Sequence, residues 1–304
     1  MGHDQRGIAY FPPSVQTARL DSALLKISNS VSVFEGRYPG GGNVTSTIFH
    51  SEKEAFIFDS LLYPDDTRSL LEAVKRLNLR IVALVNTHWH IDHVAGNQLF
   101  RETSRIISHR LTSDLMRADS LDWVNTELKL DGRKKVRHVC PNEAVSDGST
   151  LTVGNRSGVE LLHTPGHTPD SIIGWLRSED VVIAGDTVME IPFFGYGDSR
   201  AQIESLRRVR SISKRGTKIV QGHGSVCGSR KLENDISYIQ EVRRRTAEYV
   251  VSGKTAERAS ADIKLEDCVA KERYRLLSES FKSILWCHPE NVRKIFSELK
   301  TANA

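Results

Sequence analysis

The stretch His88-Trp-His-Ile-Asp-His93 follows directly on Ile81-Val-Ala-Leu-Val85, an apolar run of the kind a buried strand shows. Three imidazoles and a carboxylate within six residues, placed where a strand ends, form a metal-ligating pattern. Neutral His nitrogens and Asp oxygens are donors that zinc takes, and a tight turn can aim several of them at one point. His88 and His90 lie two apart, so an extended backbone sets both on one face. Asp92 and His93 are then free to serve a second metal nearby.

Working outward, three more signals each lie just past a short β-type run. His163-Thr-Pro-Gly-His167 follows Val159–Leu162, Gly185-Asp186 follows Val181–Ala184, and Gly222-His223 follows Lys218–Gln221. The glycines beside these groups permit tight turns and close backbone approach. Upstream, Leu24–Ile27, Val31–Phe34, Thr45–His50 and Ala55–Asp59 read as strands, with Tyr38-Pro-Gly-Gly-Gly-Asn43 as a hairpin turn. Leu70, Leu71, Val74 and Leu77 have helical spacing within Thr67–Leu77, and Asp65 or Asp66 is the expected cap. Strands are also expected at Ile106–Ser108, Val136–Val139 and Ser171–Leu176, and a helix at Ile203–Ser211. From Arg230 to Lys300 the patterning is almost wholly helical, broken at Ser252-Gly253 and Pro289. The expected organisation is an α/β catalytic domain over residues 1–229 with a helical C-terminal extension, 230–304, packed on it.

Composition narrows the classes. The chain has 304 residues, 39% hydrophobic and 26% charged, which is ordinary globular usage with enough length for a sizeable core. Its four cysteines form no Cys-x-x-Cys pair, which argues against a disulfide scaffold and against a cysteine-type zinc site. The start lacks an apolar h-region and no run is long enough to span a bilayer, so a soluble cytoplasmic protein without a membrane partner is expected. Residues 1–200 carry 21 basic and 25 acidic side chains, whereas residues 201–304 carry 21 and 13. That basic C-terminal third would suit an anionic partner, but its arginines have no interleaved aromatics, so solvated helix faces and no nucleic-acid partner are expected.

These ligand motifs, in this order, resemble the metallo-β-lactamase superfamily of binuclear metallohydrolases over roughly residues 20–230. The resemblance implies an αββα sandwich, two mixed sheets flanked by helices. It implies a first metal site of His88, His90 and His167, a second of Asp92, His93 and His223, and Asp186 bridging both. The implied cofactors are two Zn2+ per chain, with Fe or Mn as alternatives. The implied chemistry is attack by a hydroxide bridging two metals about 3.5–4 Å apart. Asp92 would also orient that hydroxide as the catalytic carboxylate. Asp59 matches a position that supports the ligating histidines.

Asp186 stands where true β-lactamases generally place a cysteine or a non-bridging arrangement, which argues against lactamase activity as the main role. His90 stands where the diiron flavoprotein reductases carry an acidic ligand. Thr87-His-Trp-His-Ile-Asp-His-Val-Ala-Gly-Asn97 is similar to the glyoxalase II branch, while Met189 occupies a position where lactonases often place tyrosine. The expected function is hydrolysis of a small ester, lactone or thioester, with a small molecule as partner and a homodimer as one quaternary arrangement. A phosphodiesterase or RNA-processing nuclease, and an iron-dependent enzyme like the persulfide dioxygenases, are the alternatives. Ile191-Pro-Phe-Phe-Gly-Tyr196 follows the Asp186 loop, so Phe193, Phe194 and Tyr196 are expected to line the substrate cleft.

Overall fold

The computed structural model describes residues 24–302 except 101, 102, 104, 120, 129–134 and 155–157. Among these, Leu25–Lys26 (β1), Val31–Tyr38 (β2), Gly42–His50 (β3), Glu54–Phe58 (β4), Arg80–Val85 (β5), Ile106–His109 (β6) and Glu143–Val145 (β7) make one sheet in sequence order. A second sheet holds Ser149–Leu151 (β8), Val159–His163 (β9), Ile172–Leu176 (β10), Val181–Gly185 (β11) and Lys218–Gln221 (β12), ordered β12-β11-β10-β9-β8. Both are mixed: β4 runs parallel to β5, and β11 parallel to β12, beside antiparallel pairs.

Side-chain alternation explains the layers. Phe56, Phe58, Ala83 and Val85 from the first sheet meet Val181, Ile183 and Val220 from the second in one apolar cluster. The intervening Ala55, Ile57 and Leu84 face the other way, against Leu70 and Val74 of the helix Pro64–Arg76 (α1). Likewise Val182 and Ala184 turn outward onto the C-terminal helices. Strands buried on both faces need no polar alternation, which is why these runs are continuously apolar. The result is the expected αββα sandwich.

The remaining helices are Ile91–Val94 (α2), Thr112–Ala118 (α3), Asp122–Glu127 (α4), Ser199–Ile212 (α5), Arg230–Val251 (α6), Ala256–Asp262 (α7), Lys271–Ser280 (α8) and Cys287–Ala302 (α9). Leu232, Ile239, Val242, Val292 and Ile295 from the extension share one buried cluster with Ile173, Val182 and Ile219 of the second sheet. Among the described residues no helix is long and apolar enough to cross a membrane.

Four local expectations are corrected. Val136–Val139 is not a strand; the Asn125 side chain brackets Val136, accepting from its N–H at 2.8 Å and donating to its carbonyl at 3.2 Å in place of a ladder. Neither Asp65 nor Asp66 caps α1: Tyr63 is the N-cap and Pro64 the first helical residue. Asp66 instead accepts from the Arg37 N–H at 2.8 Å and from its guanidinium. Pro289 does not break a helix but lies in the first turn of α9, where a missing N–H costs nothing. Phe194 is fully buried among the outer core residues rather than lining the cleft, its backbone N–H reaching Asn291 at 3.3 Å.

Candidate metal centre

Every expected ligand sits where a strand has just ended. His88, His90, Asp92 and His93 follow β5, His167 follows β9, Asp186 follows β11 and His223 follows β12. The two sheets are stitched there: Thr45 of β3 donates from its N–H to the Gly222 carbonyl at 2.9 Å and from Oγ1 to the Gln221 carbonyl at 2.6 Å. Gly222 has no room for a side chain, since a Cβ would stand 1.8 Å from Asp186 Oδ1.

The structure brings all seven side chains together. His88, His90, His167 and Asp186 form one group able to hold a metal ion, and Asp92, His93 and His223 form another, with the ligand atoms of each group within 4.8 Å of one another. In the first, His167 Nε2 lies 3.2 Å from His88 Nε2 and 2.9 Å from His90 Nδ1. In the second, His223 Nε2 is 3.0 Å from Asp92 Oδ2, and His93 Nε2 is 3.6 Å from the same oxygen. Asp186 stands between the groups. Its Oδ2 is 3.4 Å from both His167 Nε2 and His223 Nε2, and its Oδ1 is 3.2 Å from His93 Nε2.

The outer ring nitrogens settle the tautomers. His93 Nδ1 donates to Asp59 Oδ2 at 2.8 Å, His167 Nδ1 to the Phe193 carbonyl at 2.6 Å, and His223 Nδ1 to the Asn43 carbonyl at 2.7 Å. Thr87 Oγ1 gives its proton to Asp59 at 2.7 Å and so accepts from His88 Nδ1 at 3.0 Å. Each of these four rings therefore turns its Nε2 inward, and in His88 and His167, which burial holds neutral, that nitrogen carries a lone pair. Lone pairs packed this closely repel unless a cation lies among them. Two nitrogens on one tetrahedral zinc stand about 3.3 Å apart, close to the spacings seen here. His93 Nε2 and Asp186 Oδ1 are also buried with no hydrogen-bond partner among the described residues. The donor set fits a pair of divalent metals.

Electrostatics divides the groups. Burial, with the neighbouring imidazoles, holds His88 and His90 well below the usual imidazole range. Burial alone would lower His93 too, but Asp186, Asp92 and Asp59 outweigh it and hold His93 well above that range. His223, opposed by burial but supported chiefly by Asp186, is pushed up to about 10. The imidazoles of the first group are thus neutral and ready to ligate, whereas at the second a proton competes with the metal.

Asp59, expected to support the histidines, does so for both groups. Its Oδ1 accepts from the Thr87 N–H at 2.7 Å, and its Oδ2 reaches His93 directly and His88 through the Thr87 hydroxyl. The residue itself adopts a left-handed backbone, φ 64°. Such strain in a non-glycine residue persists where its surroundings over-determine it.

Of the expected cleft residues, Phe193 packs on His167 with ring centroids 5.8 Å apart, and Tyr196, 51% exposed, lies 5.0 Å from the His90 ring. Sequence reasoning read Tyr38–Asn43 as a hairpin able to overhang the metals but gave neither Tyr38 nor Asn43 a role, and it did not single out Trp89 or Trp286. Tyr38 lies edge-on to His223 at 4.7 Å, its phenol held well above the usual range by burial and next by Asp92. Asn43 clamps the His223 loop, its Oδ1 accepting from Gly224 N–H at 2.9 Å and its carbonyl from His223. The strand-turn-strand reading of Tyr38–Asn43 was the available signal, because a hairpin at a strand end can reach a site built from strand ends.

Comparison with known proteins places this geometry in context. The family model described as Metallo-beta-lactamase superfamily matches residues 39–223. An acyl-coenzyme A thioesterase of Gallus gallus is 25% identical over 217 residues, covering 64% of this chain and 77% of that protein. A hydroxyacylglutathione hydrolase of Gloeobacter violaceus is 28% identical over 221 residues, covering 69% of this chain and 77% of that protein. A solved metallo-beta-lactamase from Pontibacter korlensis superposes with a TM-score of 0.61 at 19% identity, covering 72% of this chain and 99% of that one, which speaks to the fold alone.

Proposed function

The chain belongs to the metallo-beta-lactamase superfamily and is a metal-dependent hydrolase; from that premise we propose that it uses two zinc ions to cleave a carboxylic thioester or ester. The observation that carries this reading is the carboxylate Asp186, set between a three-histidine group and an Asp92–His93–His223 group. Two of the relatives are named as thioesterase and hydroxyacylglutathione hydrolase, and both names denote thioester hydrolysis.

Bound zinc would supply a water of lowered pKa and an electrophilic contact for the substrate carbonyl. The protein's own groups do the rest. His88, His90 and His167 would hold one ion, Asp92, His93 and His223 the other, and Asp186 both. Asp92 would also accept a hydrogen bond from the attacking water and so fix its direction, an orienting effect worth several kcal/mol. Asp59 keeps His93 and His88 in the tautomer that ligates. Burial excludes bulk water from the imidazole cluster, since His88, His93 and His167 are each 1% exposed or less. The substrate is a small molecule on this reading, with no nucleic acid and no membrane as partner, and the working location is the cytoplasm.

The test is zinc-loaded protein assayed on a panel of thioesters, alkyl esters, lactones, phosphodiesters and β-lactams, with metal counted on the same sample. Thioester or ester turnover with two equivalents of zinc is expected. Turnover confined to phosphodiesters, or saturation below one equivalent, would overturn the reading.

A further inference from the structure

Beside His90 and His167 stand aromatic rings from three separate parts of the chain. Trp89 comes from the ligand loop after β5, Phe193 and Tyr196 from the loop after β11, and Trp286 from the turn that enters α9. Their rings form a continuous series. Tyr196 meets Trp89 at 5.6 Å and Phe193 at 6.0 Å, and Phe193 meets Trp286 at 4.9 Å, all edge-on. The series begins on the candidate ligands themselves, with Tyr196 at 5.0 Å from His90 and Phe193 at 5.8 Å from His167.

We propose that Trp89, Phe193, Tyr196 and Trp286 form the acyl-recognition wall of the site, selecting a neutral, apolar acyl group and rejecting one that ends in a carboxylate. The inference rests on the thioester and ester reading above and adds the substrate class. Its occupant follows from continuity: a carbonyl brought to the histidines must lay one of its two substituents along the rings that start there. Rings give up water to an apolar chain favourably, at about 0.8 kcal/mol per buried methylene. A carboxylate laid on the same rings would lose hydration without a partner. Half-exposed Tyr196 closes the outer end, and Trp286 brings the C-terminal extension into specificity.

The experiment uses S-acyl N-acetylcysteamine thioesters with acetyl, butanoyl, hexanoyl and adipoyl groups, and the full-length zinc-loaded chain. Expected is a kcat/KM that climbs about two- to fourfold per methylene from acetyl to hexanoyl. The adipoyl ester, of equal length with a terminal carboxylate, should fall at least tenfold below hexanoyl. In Trp286→Ala and in Tyr196→Ala, the second at a half-exposed position that folding tolerates, the hexanoyl-to-acetyl ratio should collapse toward one. A binding readout is independent of turnover: the uncleavable thioether S-hexyl N-acetylcysteamine, titrated into the zinc-loaded protein by calorimetry, should bind wild type and lose affinity in both variants. A flat chain-length profile with no thioether binding overturns the wall while leaving the hydrolase reading intact. Trp286-dependent thioether binding without turnover of any thioester supports the wall and sinks the hydrolase reading instead.

Discussion

Replacing Asp59 by Asn removes one charge from a position that touches no expected substrate or metal, yet the geometry makes it costly. The carboxylate accepts three hydrogen bonds: from the Thr87 N–H, the Thr87 hydroxyl and His93 Nδ1, all at 2.7 or 2.8 Å. An amide keeps one acceptor and offers an NH2 at the other place. Turned one way, the NH2 faces the buried Thr87 N–H, stranding a donor at a cost of about 1–3 kcal/mol. Turned the other way, it faces His93, which must move its proton from Nδ1 to Nε2 and so blind the lone pair meant for the metal. The Thr87 hydroxyl, now accepting from the amide NH2, turns its proton toward His88 Nδ1 and stops accepting from it as well. Either way the expected loss of metal affinity is roughly 10–100-fold, the range found for outer partners of ligating histidines. The assay is competition for zinc against a chromophoric chelator, with nitrogen NMR of His93 in the zinc-loaded protein reporting which ring nitrogen carries the proton. Circular dichroism shows whether the fold persists. Wild-type affinity at both sites, together with an unchanged tautomer, would refute the assignment of Asp59 as the common support.

Three further outcomes follow from the structure. Asp92→Asn preserves shape but removes charge from the second group, so weaker binding of the second zinc and a loss of about a hundredfold or more in kcat are expected; near-normal kcat with two zinc ions bound would exclude Asp92 from the machinery. Gly222→Ala drives a Cβ to within 1.8 Å of Asp186 Oδ1, so one of the two must move, and zinc stoichiometry should fall below two; full stoichiometry would show that Asp186 has room it does not display. Asp170 is fully buried and pushed up to about 6, burial outweighing the hydrogen bonds it accepts from Thr168 and Thr112. Its folded value lies above its unfolded value near 3.8, so the native state holds the extra proton between pH 4 and 6. Stability of the metal-free protein should therefore fall by about 3 kcal/mol as pH rises through that window. Urea unfolding of Asp170→Asn against wild type reads this directly, and an identical pH slope in both would refute it.

The centre was legible in the sequence because its ligands are local or locally marked. His88 to His93 are six consecutive positions, and His167, Asp186 and His223 each lie at the end of an apolar run beside glycine. What escaped was whatever depends on contacts between distant segments. Asn43 accepts from His223, 180 residues away, and nothing near either residue announces the pairing. Adjacent Phe193 and Phe194 look alike in sequence, yet one faces His167 and the other the helical layer, a choice made by packing against Asn291 and its neighbours. Val136–Val139 has strand-like residues but lost its ladder to the Asn125 amide. Pro289 was read as a stop because proline forbids a helix interior, and it is equally at home in a first turn.

The four ligand loops leave the ends of β5, β9, β11 and β12, so metal binding would fasten one sheet to the other across the whole of the stretch from His88 to His223. Such a fastening acts on the unfolded chain as much as on the folded one. By the chain-entropy argument used for cross-links, closing a loop of more than a hundred residues removes freedom equivalent to about 5 kcal/mol. A bound metal pair would then be a clasp as well as a reagent. Chelation should loosen the sandwich as a whole, and heat resistance should track zinc supply even in variants whose chemistry has been silenced.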